Sequence, residues 1–272
     1  MITQTLRVPG AELTYDVEGS GPVLLLVPGG PADATAFTAL RPQLSDRHTV
    51  VTFDPRGLSR SPITGEPGPD LVGEHAEDVH RLLTELGGGP AAVFANSGGA
   101  ITMLEHTQRY PGEVATLVAH EPPISRYLGE LLADFPDVPA VYREHGVEAA
   151  MGAFFTATGF TPPPPPQHPT PEQLEQGKRM FANFGFFFGH LMAAVGAWEP
   201  DLAALRAAGT RIVAGVGTTS AGTPAHTAGL ALADALGLDP VEFPGDHGGF
   251  ATEPAPFATR LTEVLTQNQE TR

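Results

Sequence analysis

Short β-rich runs alternate along this chain with longer segments whose apolar residues recur three and four apart. That alternation calls for an α/β architecture in which a mostly parallel sheet is covered by helices. Strands are predicted at Glu12–Val17, Val23–Val27, Thr49–Phe53, Ala91–Ala95, Val114–Ala119, Arg211–Val216 and Val241–Phe243. Helices are predicted at Pro69–Leu86, Gly98–Tyr110, Pro224–Leu236 and Pro254–Thr266, where Gly or Pro marks the ends. Each helix is expected to pack back onto the sheet.

Between Glu121 and Leu202 the rhythm changes to helical segments broken by Pro and Gly. This reads as a helical cap, 122–198, inserted into a core made of 1–121 and 199–272. Its five consecutive prolines, Pro162 to Pro166, favour an extended, stiff surface connector. Its most apolar stretch, Phe184 to Trp198, is about 15 residues long, short of the roughly 20 a membrane-spanning helix needs. A buried or pocket-lining segment is expected instead.

With 272 residues, 41% hydrophobic and 17% charged, the chain has the composition of one globular catalytic domain. Its formal charge of −16 repels nucleic acid and anionic lipid, so neither is expected as a partner. The absence of cysteine rules out a disulfide framework and thiolate chemistry. The first residues, Met1 to Arg7, do not resemble an export signal, and a cytoplasmic location is expected.

Three stretches carry chemistry. In Val93-Phe94-Ala95-Asn96-Ser97-Gly98-Gly99-Ala100 a β-rich run ends in a serine flanked by small residues and followed by a helical pattern. A sharp strand-to-helix turn needs small residues two positions either side, here Ala95 and Gly99. In isolation the pentapeptide equally fits a helix N-cap or a flexible turn. A nucleophilic serine also needs donors for the oxyanion it creates, and the N–H groups of Gly30, in Pro28-Gly29-Gly30-Pro31, and of Gly98 fit that role. The same Gly-Gly pair also fits a plain turn. After the final strand, His247 lies in the glycine-bounded loop Pro244 to Phe250, where an imidazole can take the serine proton.

These stretches, in this order and together with Asp54-Pro55-Arg56-Gly57-Leu58-Ser59-Arg60-Ser61, resemble the α/β-hydrolase superfamily, particularly its capped esterase, lactonase and dehalogenase-like branch. The octapeptide is similar to the family signature D-x-R-G-x-G-x-S, with Ser59 in place of a glycine, and its role there is to organise a loop. The resemblance implies Ser97 as nucleophile, His247 as general base and the backbone of Gly30 and Gly98 as oxyanion donors. Pro28 stands where the family usually has a histidine.

The triad acid is not at the family's usual place, because Gly217 to Gly222, after the penultimate strand, contains no carboxylate. A second arrangement in dehalogenase relatives puts the acid after the strand that follows the nucleophile helix, and there this chain has Glu121. Glu121 is therefore expected to orient His247; as a plain loop carboxylate it would instead pair with an Arg or cap a helix. Asp246 is too close in sequence to His247 to orient it. A dyad assisted by Thr219 or Ser220 is the other arrangement.

A serine nucleophile points to acyl transfer to water from an ester, thioester or lactone, not to the aspartyl-ester chemistry of dehalogenases and epoxide hydrolases. Phe154, Phe155, Phe181, Phe184, Phe186, Phe187, Phe188 and Trp198 crowd the inserted region, as packing or as the wall of an apolar pocket, so a small neutral or hydrophobic substrate is expected. His75 and His80 are spaced five apart and His120-Glu121 offers no spaced ligand set, so no metal is expected; nor is any cofactor, since no phosphate or dinucleotide loop appears. Rival readings are a small-molecule receptor on the same scaffold, and a cofactor-free lyase or carbon–carbon bond hydrolase.

Overall fold

The computed structural model describes residues 1–161 and 167–267. The five prolines at 162–166 therefore lie outside the described residues. Among the described residues eight strands form one sheet: β1 (Ile2–Val8), β2 (Ala11–Glu18), β3 (Val23–Val27), β4 (Thr49–Phe53), β5 (Ala91–Asn96), β6 (Val114–His120), β7 (Arg211–Gly217) and β8 (Val241–Phe243). Their order is β1-β2-β4-β3-β5-β6-β7-β8. β1 and β2, and β2 and β4, pair antiparallel; all other pairs are parallel.

The helices are α1 (Leu71–Glu85), α2 (Gly98–Arg109), α3 (Val138–Thr158), α4 (Pro171–Phe186), α5 (Met192–Ala197), α6 (Leu202–Ala207), α7 (Pro224–Leu236), α8 (Gly249–Thr252) and α9 (Pro254–Thr266). The spans foreseen from sequence for α7 and α9 agree end for end. Both start on a proline, which tolerates the first helical position because its missing N–H would be unpaired there anyway. β1 has no counterpart among the predicted strands. Most of its residues are exposed, so it shows no buried face, and it is held by its ladder to β2.

Consecutive residues of the central strands serve opposite layers. Leu25, Val27, Val93, Ala95, Leu117 and Ala119 join α1 and α2 in one core. Leu24, Leu26, Phe94 and Val118 join Phe250 and the α9 residues Phe257, Leu261 and Val264 in the other. Burial on both faces explains why these strands read as unbroken apolar runs.

Every described element between β6 and β7 is helical. α4 begins at a capping box, Thr170 with Gln173, and continues through a wide π-helical turn, Phe187–Leu191, into α5. The apolar run thus belongs to a longer helix, Pro171–Ala197 (27 residues), which by length and composition alone is long and apolar enough to cross a membrane. Its polar first half concealed that length in the sequence. Phe184, Phe187, Phe188, Leu191 and Val195 pack into the first core, whereas Phe181 is exposed and stands outside the aromatic cluster foreseen for it.

The loop after β4 is organised by charge. Asp54, 1% exposed, accepts from the N–H groups of Ala34 and Arg60 and from the Arg60 guanidinium. Arg56, 5% exposed, binds Asp78 with two nitrogens, at 2.6 and 2.5 Å, and Glu74 at 2.5 Å. Removing one partner from a buried ion pair strands the other charge. Arg56→Met is accordingly expected to destabilise the fold by about 3–5 kcal/mol, read from urea unfolding, while Arg56→Met with Asp78→Leu loses clearly less.

Candidate active site

The turn from β5 into α2 places Ser97 at φ 55, ψ −126, a left-handed backbone that L-residues rarely adopt. Its amide donates to the carbonyl of His120 at 2.9 Å, which ties the turn to the end of β6. Sterics explain the small neighbours. A Cβ on Gly99 would lie 2.3 Å from the carbonyl oxygen of Pro28, and one on Gly29 would lie 2.4 Å from that of Asn96 and 2.6 Å from Cβ of Ser97. The Pro28–Pro31 turn and the serine turn are therefore packed backbone to backbone. Gly30 adopts φ 56, and its nitrogen comes within 3.3 Å of where a Gly98 Cβ would stand. Among the described residues neither the Gly30 nor the Gly98 N–H donates to a protein acceptor, so two unpaired backbone donors are left near the half-buried Ser97.

β6 ends at His120, and Glu121 follows at φ 48, fully buried. One oxygen of Glu121 accepts from the Gly217 N–H at 2.9 Å and from the Ser220 hydroxyl. The other lies 2.7 Å from Nδ1 of His247, which is 28% exposed in the loop after β8. Burial pushes the Glu121 carboxyl up, but the His247 hydrogen bond, the neighbouring imidazoles and the Ser220 hydroxyl outweigh it and bring the pKa down to about 2. An ionised acceptor requires Nδ1 of His247 to carry its proton, leaving Nε2 as the basic nitrogen of the neutral ring. The Ser97 hydroxyl makes no hydrogen bond among the described residues.

Ser220, weighed from sequence as the helper of a dyad, turns out to bind Glu121 instead. Thr218 and Thr219 are exposed. Asp246 accepts from the Gly248 N–H at 2.8 Å rather than from the adjacent imidazole. Three neighbours of the site had no sequence signal: the Gly217 amide, Asn96 and His120. The Nδ1 of His120 lies 2.8 Å from Oδ1 of Asn96, and full burial pushes the His120 pKa down to about 3, keeping that ring neutral. The fold also gathers ligand-type atoms of His120, Glu121 and His247 within 4.8 Å of one another, a grouping that the spacing of His120 and Glu121 alone did not reveal. Both Glu121 oxygens are engaged by protein donors, whereas Nε2 of His120 is buried without a hydrogen-bond partner.

Phe187 lies above the glycine turn, its ring 3.8 Å from the position of a Gly30 Cβ, and Val195 approaches the Gly98 position equally closely. Phe154 and Phe188 pack against Phe187 at ring separations of 5.7 and 5.4 Å, and Phe184 packs against Phe188 at 5.4 Å. An apolar wall thus stands over the two free amides.

Residues 22–161 match the family model of the alpha/beta hydrolase fold. An uncharacterized hydrolase, YraK, of Bacillus subtilis is 31% identical over 98% of this chain and 97% of its own. Among solved structures, a thermophilic esterase from Thermogutta terrifontis superposes with a TM-score of 0.74 at 20% identity, covering 97% of this chain and 98% of the esterase. The enol-lactonase of Burkholderia xenovorans does so with a TM-score of 0.68 at 20% identity, over 97% and 100% of the two chains. Both likenesses concern the fold. With its sheet order, its strand-to-helix serine turn and a near end-to-end match to a hydrolase, the chain belongs to the α/β-hydrolase family of enzymes.

Proposed function

We propose that the protein is a serine hydrolase that cleaves an ester, thioester or lactone of a small neutral or hydrophobic molecule through an acyl-enzyme. The observation that carries this reading is the 2.7 Å contact between His247 Nδ1 and Glu121, residues 126 apart in the chain. It fixes the imidazole tautomer that a neighbouring hydroxyl nucleophile requires. Substrate binding brings Ser97 Oγ and His247 Nε2 together; such contacts commonly tighten only in the Michaelis complex. Ser97 attacks the carbonyl, His247 takes its proton, and the Gly30 and Gly98 amides hold the oxyanion. The proton returns to the leaving alcohol or thiol, and water activated by the same imidazole releases the acid.

The helical segment 122–198 acts as a cap in this reading, with Phe187 and its aromatic neighbours forming the acyl or ring pocket. No cofactor enters the reaction, and neither nucleic acid nor membrane is a partner. The protein works in the cytoplasm on a diffusible substrate. The esterase and enol-lactonase neighbours support this class of substrate by analogy of fold.

A fluorophosphonate probe is expected to label the wild type at Ser97. Labelling disappears in Ser97→Ala and slows strongly in His247→Ala, as seen by intact mass; equal labelling of Ser97→Ala would remove the nucleophile assignment.

Glu121→Gln keeps the shape but offers the imidazole an amide, so kcat on a p-nitrophenyl ester is expected to fall by about 10²–10⁴ with KM little changed. Full activity in this variant would show that the site works as a dyad.

The Glu121 pKa also fixes a stability effect. Because the folded value lies below the ordinary carboxylate value, at about 2, the stabilisation is complete above about pH 4.5 and is lost as pH falls through 2. The stability gap between wild type and Glu121→Gln, from urea midpoints, is expected to be wide at pH 7 and to close progressively below pH 4.5.

A further inference from the structure

Ser59 stands where the family signature has a glycine, and its backbone lies at φ 46. A side chain in that region is strained, so a residue kept there needs a compensating contact. Ser59 has several. Its N–H donates to Oδ1 of Asn183 at 2.8 Å, and its hydroxyl accepts from Nδ2 of the same amide at 2.9 Å, closing a ring between the loop and α4. The hydroxyl proton goes to Oδ2 of Asp33 at 2.5 Å. Asn183 and Asp33 are each 2% exposed, so these bonds are shielded from water.

Asn183 sits one helical turn before Phe186 and Phe187, on the face of α4 that meets the loop. Phe186 presses on Gly57 so closely that a Cβ there would come within 2.3 Å of the ring. Phe187 covers Gly30. We infer that Ser59 is a positioning residue: through Asn183 and Asp33 it latches α4 onto the loop and thereby seats Phe187 over the Gly30 amide. Its effect on turnover rests on the serine-hydrolase reading above; the latch itself does not. A seated Phe187 keeps water from the amide, so its hydrogen bond to the developing oxyanion forms in a low-dielectric setting. That contribution is made in the transition state and belongs in kcat rather than KM.

The test uses the full chain as wild type, Ser59→Gly and Asn183→Leu, with amide hydrogen exchange read over 184–195 and kinetics on p-nitrophenyl acetate. Ser59→Gly relieves the backbone strain but takes the hydroxyl from Asp33 and Asn183, so the two effects largely offset and its thermal midpoint falls by no more than a few degrees. Its amides over 184–195 exchange about tenfold faster, and kcat drops about tenfold with KM within about twofold. Asn183→Leu gives the same pattern, at least as strongly. Unchanged exchange in both variants overturns the latch, and faster exchange with unchanged kcat overturns the positioning role. A wild type that neither turns over the ester nor takes the fluorophosphonate defeats the hydrolase reading, and exchange alone then decides the latch.

Discussion

The site depends on two backbone turns that touch with no room for side chains between them. Pro28 to Gly30 leaves β3, Ser97 to Gly99 leaves β5, and these strands are parallel neighbours in the sheet. Their turns therefore emerge side by side at one edge, and Gly29 and Gly99 are required where they meet. This close approach presents the Gly30 and Gly98 amides together and leaves Ser97 at a left-handed angle that turns it out of the sheet. β6, next to β5, then brings Glu121 to the same edge, and β8 brings His247. Parallel topology does the gathering, since all four strands end in the same direction.

Left-handed backbone in residues other than glycine is confined to three positions among the described residues: Ser59, Ser97 and Glu121. Each is held by neighbours that repay the strain. Ser97 is anchored through its amide to His120, Glu121 through its carboxylate to Gly217, Ser220 and His247, and Ser59 to Asn183 and Asp33. Strained backbone of this kind persists where surrounding contacts over-determine it.

How far the sequence revealed all this varies with the source of the signal. The central strands and α7 and α9 were legible because burial on both faces and terminal prolines act locally. β1 was not, because its stability comes from pairing with β2 rather than from a buried face. The two glycine turns around Ser97 and Gly30 were legible because tight turns dictate small residues at fixed spacings. The partners of Glu121 were hidden for the opposite reason. The Gly217 amide and the Ser220 hydroxyl lie almost a hundred residues away, and an amide has no residue-type signature.

The place of the Glu121 carboxylate follows from the same geometry. β6 and β7 are adjacent and parallel, with His120 opposite Gly215, so a carboxylate at the end of either strand starts only one strand spacing away from the other position. In this chain Glu121 reaches across from β6, and the end of β7 supplies the donors, Gly217 N–H and Ser220 Oγ, in place of an acid. Glycine suits that end of β7, because a Cβ on Gly217 would lie 2.8 Å from backbone atoms of Gly245 and Asp246, in the loop that carries His247. Packing the β7 end directly against the His247 loop leaves that position without a side chain. The carboxylate is supplied by the neighbouring strand, whose left-handed Glu121 turns it under the imidazole.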